Sequence, residues 1–247
     1  MSILQPDYQQ AAHQEPQDTY AAPSVQGGTV ITPQASVTEV QWHFAVPIYT
    51  KLLPGFESQQ QPLLDLVRER FISPDATQEK APADRSTLYN PWHSEANLHL
   101  LNHPAIQWFN REVGIMARDC IGSRNPQMSE FDVLMESCWA TMCTQGGWSP
   151  PHNHFPAQWS GVLFLWVEQA INAEEREDKG GKIDFFNPVP LSAGFGLPTS
   201  VTYTPRDGLM LLFPALLQHM THPLTKDTGR YSIAFNLNIV PRSNNRV

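Results

Sequence analysis

Two histidines at alternate positions, His152 and His154, come just before a long apolar run in the segment SPPHNHFPAQWSGVLFLWV, residues 149–167. On a β-strand, residues i and i+2 point to the same face, so both imidazole rings can approach one metal ion. Imidazole is a common ligand of iron, zinc, copper and nickel. The spacing therefore predicts a metal site, and the alternative is that both are loop residues beside a buried strand.

A second segment, residues 209–240, contains groups that complement such a site. His219 follows one apolar run, and the next run begins with Arg230 and Ser232. From 230 to 240, large apolar side chains alternate with polar or small ones, as on a strand with one packed face. An Arg and a hydroxyl on the second face are costly unless they line a cavity with water or an anionic ligand. The planar fork of Arg230 suits a carboxylate.

Each of these residues could also have a purely structural role. Arg230 could pair with an Asp or Glu of the protein, and His219 or His222 could lie in a surface loop. Asp184 is the nearest candidate carboxylate ligand within a strand, although it could instead be a charge on an edge strand. Three tryptophans are candidates for cavity walls or for core packing: Trp139, Trp148 and Trp159.

The elements that must position these residues are mainly strands. We predict a first strand over 42–49 and helices over 60–72 and 104–120, from their apolar periodicity. Further strands are predicted near 130–144, 159–168, 181–186, 200–204, 208–213 and 230–240, and a solvated loop or helical turn over 170–181. Two helices followed by at least six short strands indicate a mainly β fold, a jelly roll with its N-terminal helices against one sheet.

Composition limits the remaining possibilities. Residues 1–36 are rich in Gln, Ala, Pro, Ser and Thr, so we predict a flexible tail followed by one domain over 37–247. The net charge of −8 and the absence of a basic block argue against a nucleic-acid partner. The first residues do not resemble a secretory signal, no apolar run is long enough to span a bilayer, and the three cysteines form no CxxC pair. We therefore expect a cytoplasmic protein with no membrane partner.

Several stretches resemble the Fe(II)- and 2-oxoglutarate-dependent oxygenases, in particular the 2OG-Fe(II) oxygenase family found widely in marine bacteria and their phages. They are HNHFPAQWSGVLFLWV at 152–167, GGKIDFFNP at 180–188 and GLMLLFPALLQHMTHPLTKDTGRYSIAFN at 208–236. FAVPIYT at 44–50 and YNPWHSEANLH at 89–99 are similar to its opening strand and its Trp-x-Ser stretch. The resemblance implies a double-stranded β-helix, Fe(II) as cofactor, 2-oxoglutarate as co-substrate, and hydroxylation of a substrate with release of succinate and CO2.

The resemblance also implies roles for individual residues. His152 takes the first metal-ligand position and His219 the distal one, while Arg230 and Ser232 take the position that binds the distal carboxylate of 2-oxoglutarate. The superfamily usually has a carboxylate two residues after the first His, and here that residue is His154. His154 could complete a three-His site, or stay off the metal, or be the proximal ligand itself with His152 behind it.

Two alternatives to this oxygenase remain open at the level of sequence. One is a cupin-like three-His metal enzyme without 2-oxoglutarate, which has no need of Arg230 and Ser232 as a carboxylate clamp. The other is a non-catalytic jelly-roll module in which a metal is lost or only structural. The substrate, a small molecule or a protein side chain, and the oligomeric state are not determined by the sequence.

Overall fold

The structure, a computed structural model, describes residues 46–72, 91–122, 130–167, 180–189, 194, 196, 198–225 and 229–242. All of them belong to one compact unit of the chain, Ala45–Val247. The predicted tail over 1–36, most of the predicted first strand and most of the predicted loop over 170–181 lie outside the described residues. None of the described helices is long and apolar enough to cross a membrane.

Nine strands and two α-helices make up the described part of the chain. The strands are β1 (Tyr49–Leu52), β2 (Trp92–His93), β3 (Phe131–Cys143), β4 (Trp159–Val167), β5 (Ile183–Phe186), β6 (Ser200–Tyr203), β7 (Leu209–Pro214), β8 (His219–Thr221) and β9 (Arg230–Pro241). The helices are α1 (Phe56–Ile72) and α2 (Pro104–Ala117), with a 3-10 turn at Leu98–Leu100 and a π-helical turn at Arg118–Gly122. The two predicted helices and the six predicted strands after them are all present. Three elements were not predicted, the short strands β2 and β8 and the 3-10 turn, and β1 shares only Tyr49 with the strand predicted over 42–49.

The strands form two antiparallel sheets. The larger sheet has the order β1-β7-β4-β9-β3-β2, and the smaller has the order β6-β5-β8. An additional bridge between His152 and His219 places the segment before β4 beside β8, on the free edge of the smaller sheet. The expected jelly roll, a double-stranded β-helix, is therefore confirmed.

The core has two parts because the larger sheet is covered on both faces. On one face, the helices pack against it through residues such as Phe109, whose ring lies 5.7 Å from that of Phe235 in β9. On the other face, Phe164 and Phe213 of the larger sheet pack with Phe185 of the smaller one. The helices thus support one sheet, as predicted, and the space between the two sheets is left for a cavity.

Helix α2 begins where the sequence predicts it. Pro104 occupies the first turn, where its missing N–H has no intrahelical partner to lose. Nδ1 of His103 accepts a hydrogen bond from the backbone N–H of Ala105 at 3.2 Å, which caps the helix. The α-helix ends at Ala117, three residues before the predicted end at 120, and the π-helical turn carries the chain on to Gly122.

Candidate metal and carboxylate site

A cavity of about 170 Å³ lies between the two sheets. It is lined by the three histidines predicted to bind metal, by Arg230 and Ser232, and by residues that sequence analysis did not assign to a site. The full lining is His93, Trp139, Thr141, Ser149, His152, His154, Ser160, Gly161, Val162, Phe164, Ile183, Phe213, His219, Thr221, Arg230, Ser232 and Ala234.

His152, His154 and His219 converge in this cavity. Each offers one ring nitrogen, and these three atoms all lie within 4.8 Å of one another. The ring centroids are 4.4 Å apart for His152 and His219 and 5.1 Å apart for each pair that includes His154. His152 and His154 lie before β4 and outside the strands, contrary to the strand geometry assumed from their spacing, but their rings still reach the same place, and β8 supplies the third.

Backbone hydrogen bonds orient two of the three rings. Nδ1 of His152 lies 2.7 Å from the carbonyl oxygen of Pro150, and Nδ1 of His219 lies 2.9 Å from that of Leu217. A carbonyl oxygen only accepts, so Nδ1 carries the proton in each ring and Nε2 keeps its lone pair. This is the state of a histidine ready to bind a metal ion.

Two of the histidines, His154 and His219, are also held in their neutral form. Burial lowers the pKa of His219 to about 3, assisted by the neighbouring rings of His152 and His154 and opposed by the hydrogen bond to Leu217. Burial likewise lowers the pKa of His154 to about 4, assisted by His152 and His93. Because a metal ion competes with protons for imidazole nitrogens, neutral rings at pH 7 favour metal binding.

Arg230 lies in the same cavity and is 3% exposed. Its Nη1 donates to the carbonyl oxygen of Gly181 at 2.7 Å, and its guanidinium carbon lies 6.0 Å from the centre of the Phe164 ring. No carboxylate of the described residues forms an ion pair with it, and its buried Nε has no hydrogen-bond partner there. Burial lowers its pKa from the usual value, although a guanidinium still keeps its proton at neutral pH.

The strand register places two hydroxyl groups near Arg230. Ser232 lies two residues along β9 on the same face and is buried. Its partner on β3 is Thr141, which is also buried and also lines the cavity. Cys143, the β3 partner of Arg230, does not supply a compensating charge, because burial raises the pKa of its thiol despite the opposing effect of Arg230.

Asp184 is not part of the site. It lies in β5, the central strand of the smaller sheet, so its interpretation as an edge-strand charge is wrong. Its neighbour Ile183 faces the cavity, and Asp184 faces the other way, 4% exposed. One carboxylate oxygen accepts a hydrogen bond from Thr202, and the other lies 2.9 Å from Nε2 of His222. The site therefore contains no carboxylate ligand from β5.

The tryptophans separate into different roles. Trp139 lines the cavity, with its ring centroid 5.7 Å from that of His154. Trp159 packs instead in the core on the helix side, 6.1 Å from the ring of Tyr49, and Trp148 is not among the lining residues.

On β9, only the first part of the polar face lines the cavity. Asn236 and Asn238 bond to Ser137 and Glu136 of β3.

Sequence reasoning missed His93 and the hydroxyl side chains Thr141, Ser149 and Thr221. His93 is exposed at the edge of the cavity, and its ring lies 6.4 Å from that of Trp139. It belongs to a strand of two residues, too short to show any periodicity. The alternation of Trp139, Thr141 and Cys143 along β3 was the available signal for Thr141.

Solved structures with a similar fold include two non-heme enzymes that depend on alpha-ketoglutarate, another name for 2-oxoglutarate, and a prolyl hydroxylase. One is the non-heme alpha-ketoglutarate-dependent carbocyclase SnoK from nogalamycin biosynthesis, with a TM-score of 0.56 and 10% identity over 81% of this chain and 84% of that one. Another is the epimerase SnoN from the same biosynthesis, with a TM-score of 0.52 and 12% identity over 78% of each chain. A third is a prolyl hydroxylase from Trichoplax adhaerens bound to a hypoxia inducible factor peptide fragment. Its TM-score is 0.51 and its identity 14%, over 77% of this chain and 82% of that one. At these identities the likeness concerns the fold alone.

A family model adds evidence from the sequence. Residues 137–236 match the family described as "Putative 2OG-Fe(II) oxygenase", and this range includes His152, His154, His219, Arg230 and Ser232. No curated protein sequence matches the chain. The resemblance noted from the sequence is thereby confirmed over this part of the chain. Fe(II) and 2-oxoglutarate are the cofactor and co-substrate that the family implies, and three imidazoles are a donor set that fits Fe(II).

Proposed function

We propose that this protein is an Fe(II)- and 2-oxoglutarate-dependent dioxygenase that hydroxylates its substrate. The observation that carries the proposal is that one cavity contains both a group of three histidines and a buried arginine without a carboxylate partner among the described residues. A metal ion would satisfy the histidines, and the distal carboxylate of a dicarboxylic oxo acid would satisfy the arginine.

His152, His154 and His219 would hold the metal ion. With Fe(II) and 2-oxoglutarate bound, the site would supply a reaction with O2 in which one oxygen atom enters the succinate formed with CO2 from the oxo acid, and the other is inserted into a C–H bond of the substrate. The backbone carbonyls of Pro150 and Leu217 would keep the ring nitrogens of His152 and His219 aimed at the ion.

Arg230 would orient the co-substrate. Its guanidinium is held in place by the carbonyl of Gly181, and its remaining N–H groups can bond a carboxylate, with the hydroxyl of Ser232 beside them. The apolar side chains of Val162, Ile183 and Phe213 would limit the access of water to the reacting groups. Together, these residues would bind the metal ion, orient the co-substrate and keep water away from the reacting groups.

The proposed catalytic domain spans residues 37–247, with the substrate a small molecule or a protein side chain and the location cytoplasmic. Neither nucleic acid nor membrane is a proposed partner. The shared fold does not specify the reaction, since the similar structures are named for three different ones.

The test is an anaerobic titration of 2-oxoglutarate into the Fe(II)-loaded protein, followed by the visible charge-transfer band between the metal and the oxo acid. We expect a saturable band that disappears in His219→Ala and weakens strongly in Arg230→Ala. Arg242→Ala is the matched control, because Arg242 pairs with Asp132 at the surface. If the protein binds iron but 2-oxoglutarate produces no charge-transfer band, the proposal is wrong, and a three-His enzyme that needs no 2-oxoglutarate is favoured. A protein that binds no metal would indicate a non-catalytic module.

A further inference from the structure

The charges around the cavity are unbalanced. Among the residues that the structure describes, the lining includes no Asp and no Glu. The described carboxylates nearest in sequence to the lining residues are engaged elsewhere: Asp184 with Thr202 and His222 on the opposite face of β5, Glu95 with Asn97, and Glu136 with Asn238. The cavity therefore combines neutral imidazoles with a cationic guanidinium.

Loading the site as proposed does not remove the imbalance. The two positive charges of Fe(II) cancel the two negative charges of 2-oxoglutarate, and the charge of Arg230 remains. In the usual site with two histidines and one carboxylate, the carboxylate ligand would cancel this charge. Here the corresponding residue is His154, which is neutral. An uncompensated charge in a poorly hydrated cavity is unfavourable, so the site gains from a further anion.

The free hydrogen-bonding groups of the cavity favour the same kind of ligand. Trp139 lines the cavity, and its indole N–H, which can only donate, bonds to no residue that the structure describes. The guanidinium of Arg230 also only donates. Among the described lining residues, no side chain is restricted to accepting hydrogen bonds. The hydroxyl groups of the lining can either donate or accept, so the side chains that can only donate, Trp139 and Arg230, favour a ligand that offers acceptors.

We propose that the loaded cavity selects an anionic substrate, one with a carboxylate or a comparable singly charged group. This inference rests on the proposed function, because the charge count includes both Fe(II) and 2-oxoglutarate. The anion would enter beside Trp139 and the histidines, where the cavity wall continues to the exposed ring of His93.

The test uses acetate as the probe and acetamide, its neutral analogue of similar shape, as the comparison. Each is added anaerobically to the protein loaded with Fe(II) and 2-oxoglutarate, with the ionic strength held constant by a bulky sulfonate salt. We expect acetate to shift the charge-transfer band saturably, without abolishing it, and to bind at least tenfold more tightly than acetamide.

A pair of variants tests the role of charge. His154→Asp places a carboxylate where the site lacks one, so we expect its preference for acetate over acetamide to vanish. Asn153→Asp adds the same charge one residue away, on an exposed side chain whose oxygen accepts from the N–H of Phe155, and should keep the preference.

The outcomes separate the two proposals. No band with Fe(II) and 2-oxoglutarate alone would overturn the proposed function and this inference with it. A normal band that responds equally to acetate and acetamide, or that acetate abolishes by displacing 2-oxoglutarate, would overturn the inference alone. The comparison in the unmodified protein decides this point even if His154→Asp does not fold.

Discussion

The backbones of His152 and His219 are joined by two reciprocal hydrogen bonds, each 3.0 Å from nitrogen to oxygen. This antiparallel bridge holds the two imidazole rings with their centroids 4.4 Å apart, although the residues are distant in sequence. The bridge consists of main-chain groups and needs no metal ion to form. Two of the three candidate metal ligands, His152 and His219, are therefore positioned by the fold itself.

The preformed bridge predicts that the protein folds without metal. Treatment with a chelator should leave the far-UV circular dichroism unchanged. Metal at about 100 times its Kd should then stabilise the fold by about 2.7 kcal/mol, visible as a higher Tm. His219→Ala should abolish the increase, whereas His103→Asn, which keeps a good helix-capping residue outside the cavity, should not. Unfolding on chelation would contradict this prediction.

Substitutions of His154 distinguish a metal ligand from a neighbour of the metal. If His154 is a ligand, His154→Ala should weaken metal binding by more than the 10- to 100-fold that is typical for loss of an outer residue. His154→Asp should restore much of the affinity, because a carboxylate is also a good ligand for Fe(II). Competition with a chromophoric chelator gives both constants. Unchanged affinity in the alanine variant would show that His154 stays off the metal.

The geometry of Arg230 predicts different effects for lysine and alanine. Lysine keeps the charge but not the planar fork, so Arg230→Lys should weaken 2-oxoglutarate binding by roughly tenfold and Arg230→Ala by roughly a hundredfold. The anaerobic titration of 2-oxoglutarate measures both, with circular dichroism to check that each variant is folded. Equal affinity in all three proteins would mean that Arg230 does not contact the co-substrate.

The stability of the metal-free protein should fall as the pH is lowered. The pKa values of His154 and His219, about 4 and about 3, are below the ordinary value, so the unfolded chain binds more protons. The stability from each neutral ring is fully present above about pH 6.5 and decreases by about 1.4 kcal/mol per pH unit as the pH falls toward the folded pKa.

Urea unfolding at several pH values checks this dependence. His154→Asn should reduce the slope of unfolding free energy against pH by about one proton between pH 6 and pH 4.5, since the carboxylates contribute equally to both proteins. If the two slopes are the same, the ring of His154 is protonated in the folded state as easily as in the unfolded one.

Packing between β4 and β9 makes Gly161 sensitive to substitution. A Cβ atom at this position would clash with the ring of Phe235 and lie 2.6 Å from the carbonyl oxygen of Leu211. Gly161→Ala should therefore destabilise the protein by about 1–3 kcal/mol. Gly114→Ala, in the middle of α2 with only ordinary contacts to Arg118, should be neutral or stabilising. Thermal unfolding of both variants tests the contrast, which would be refuted by similar Tm values.

The sequence by itself determined the features that depend on local pattern. Alternation with period two identifies β9 and assigns Arg230 and Ser232 to the face opposite Phe235, because neighbouring side chains on a strand point to opposite sides. The i, i+2 spacing also predicted a shared site for His152 and His154, although the structure places both before β4, outside the strands. Helix α2 was predictable because its apolar stripe and its first-turn proline are both local signals.

Only the tertiary structure decided which distant residues meet. Strands β2 and β8 are too short for any periodicity, and their positions come from hydrogen bonds to β3 and β5. Because β5 lies between β6 and β8, Asp184 contacts His222 and Thr202 rather than the three histidines. Pairing and register between strands depend on contacts across the whole chain, which no short stretch of sequence encodes. The cavity, with its arginine and without a described carboxylate, is a product of that pairing.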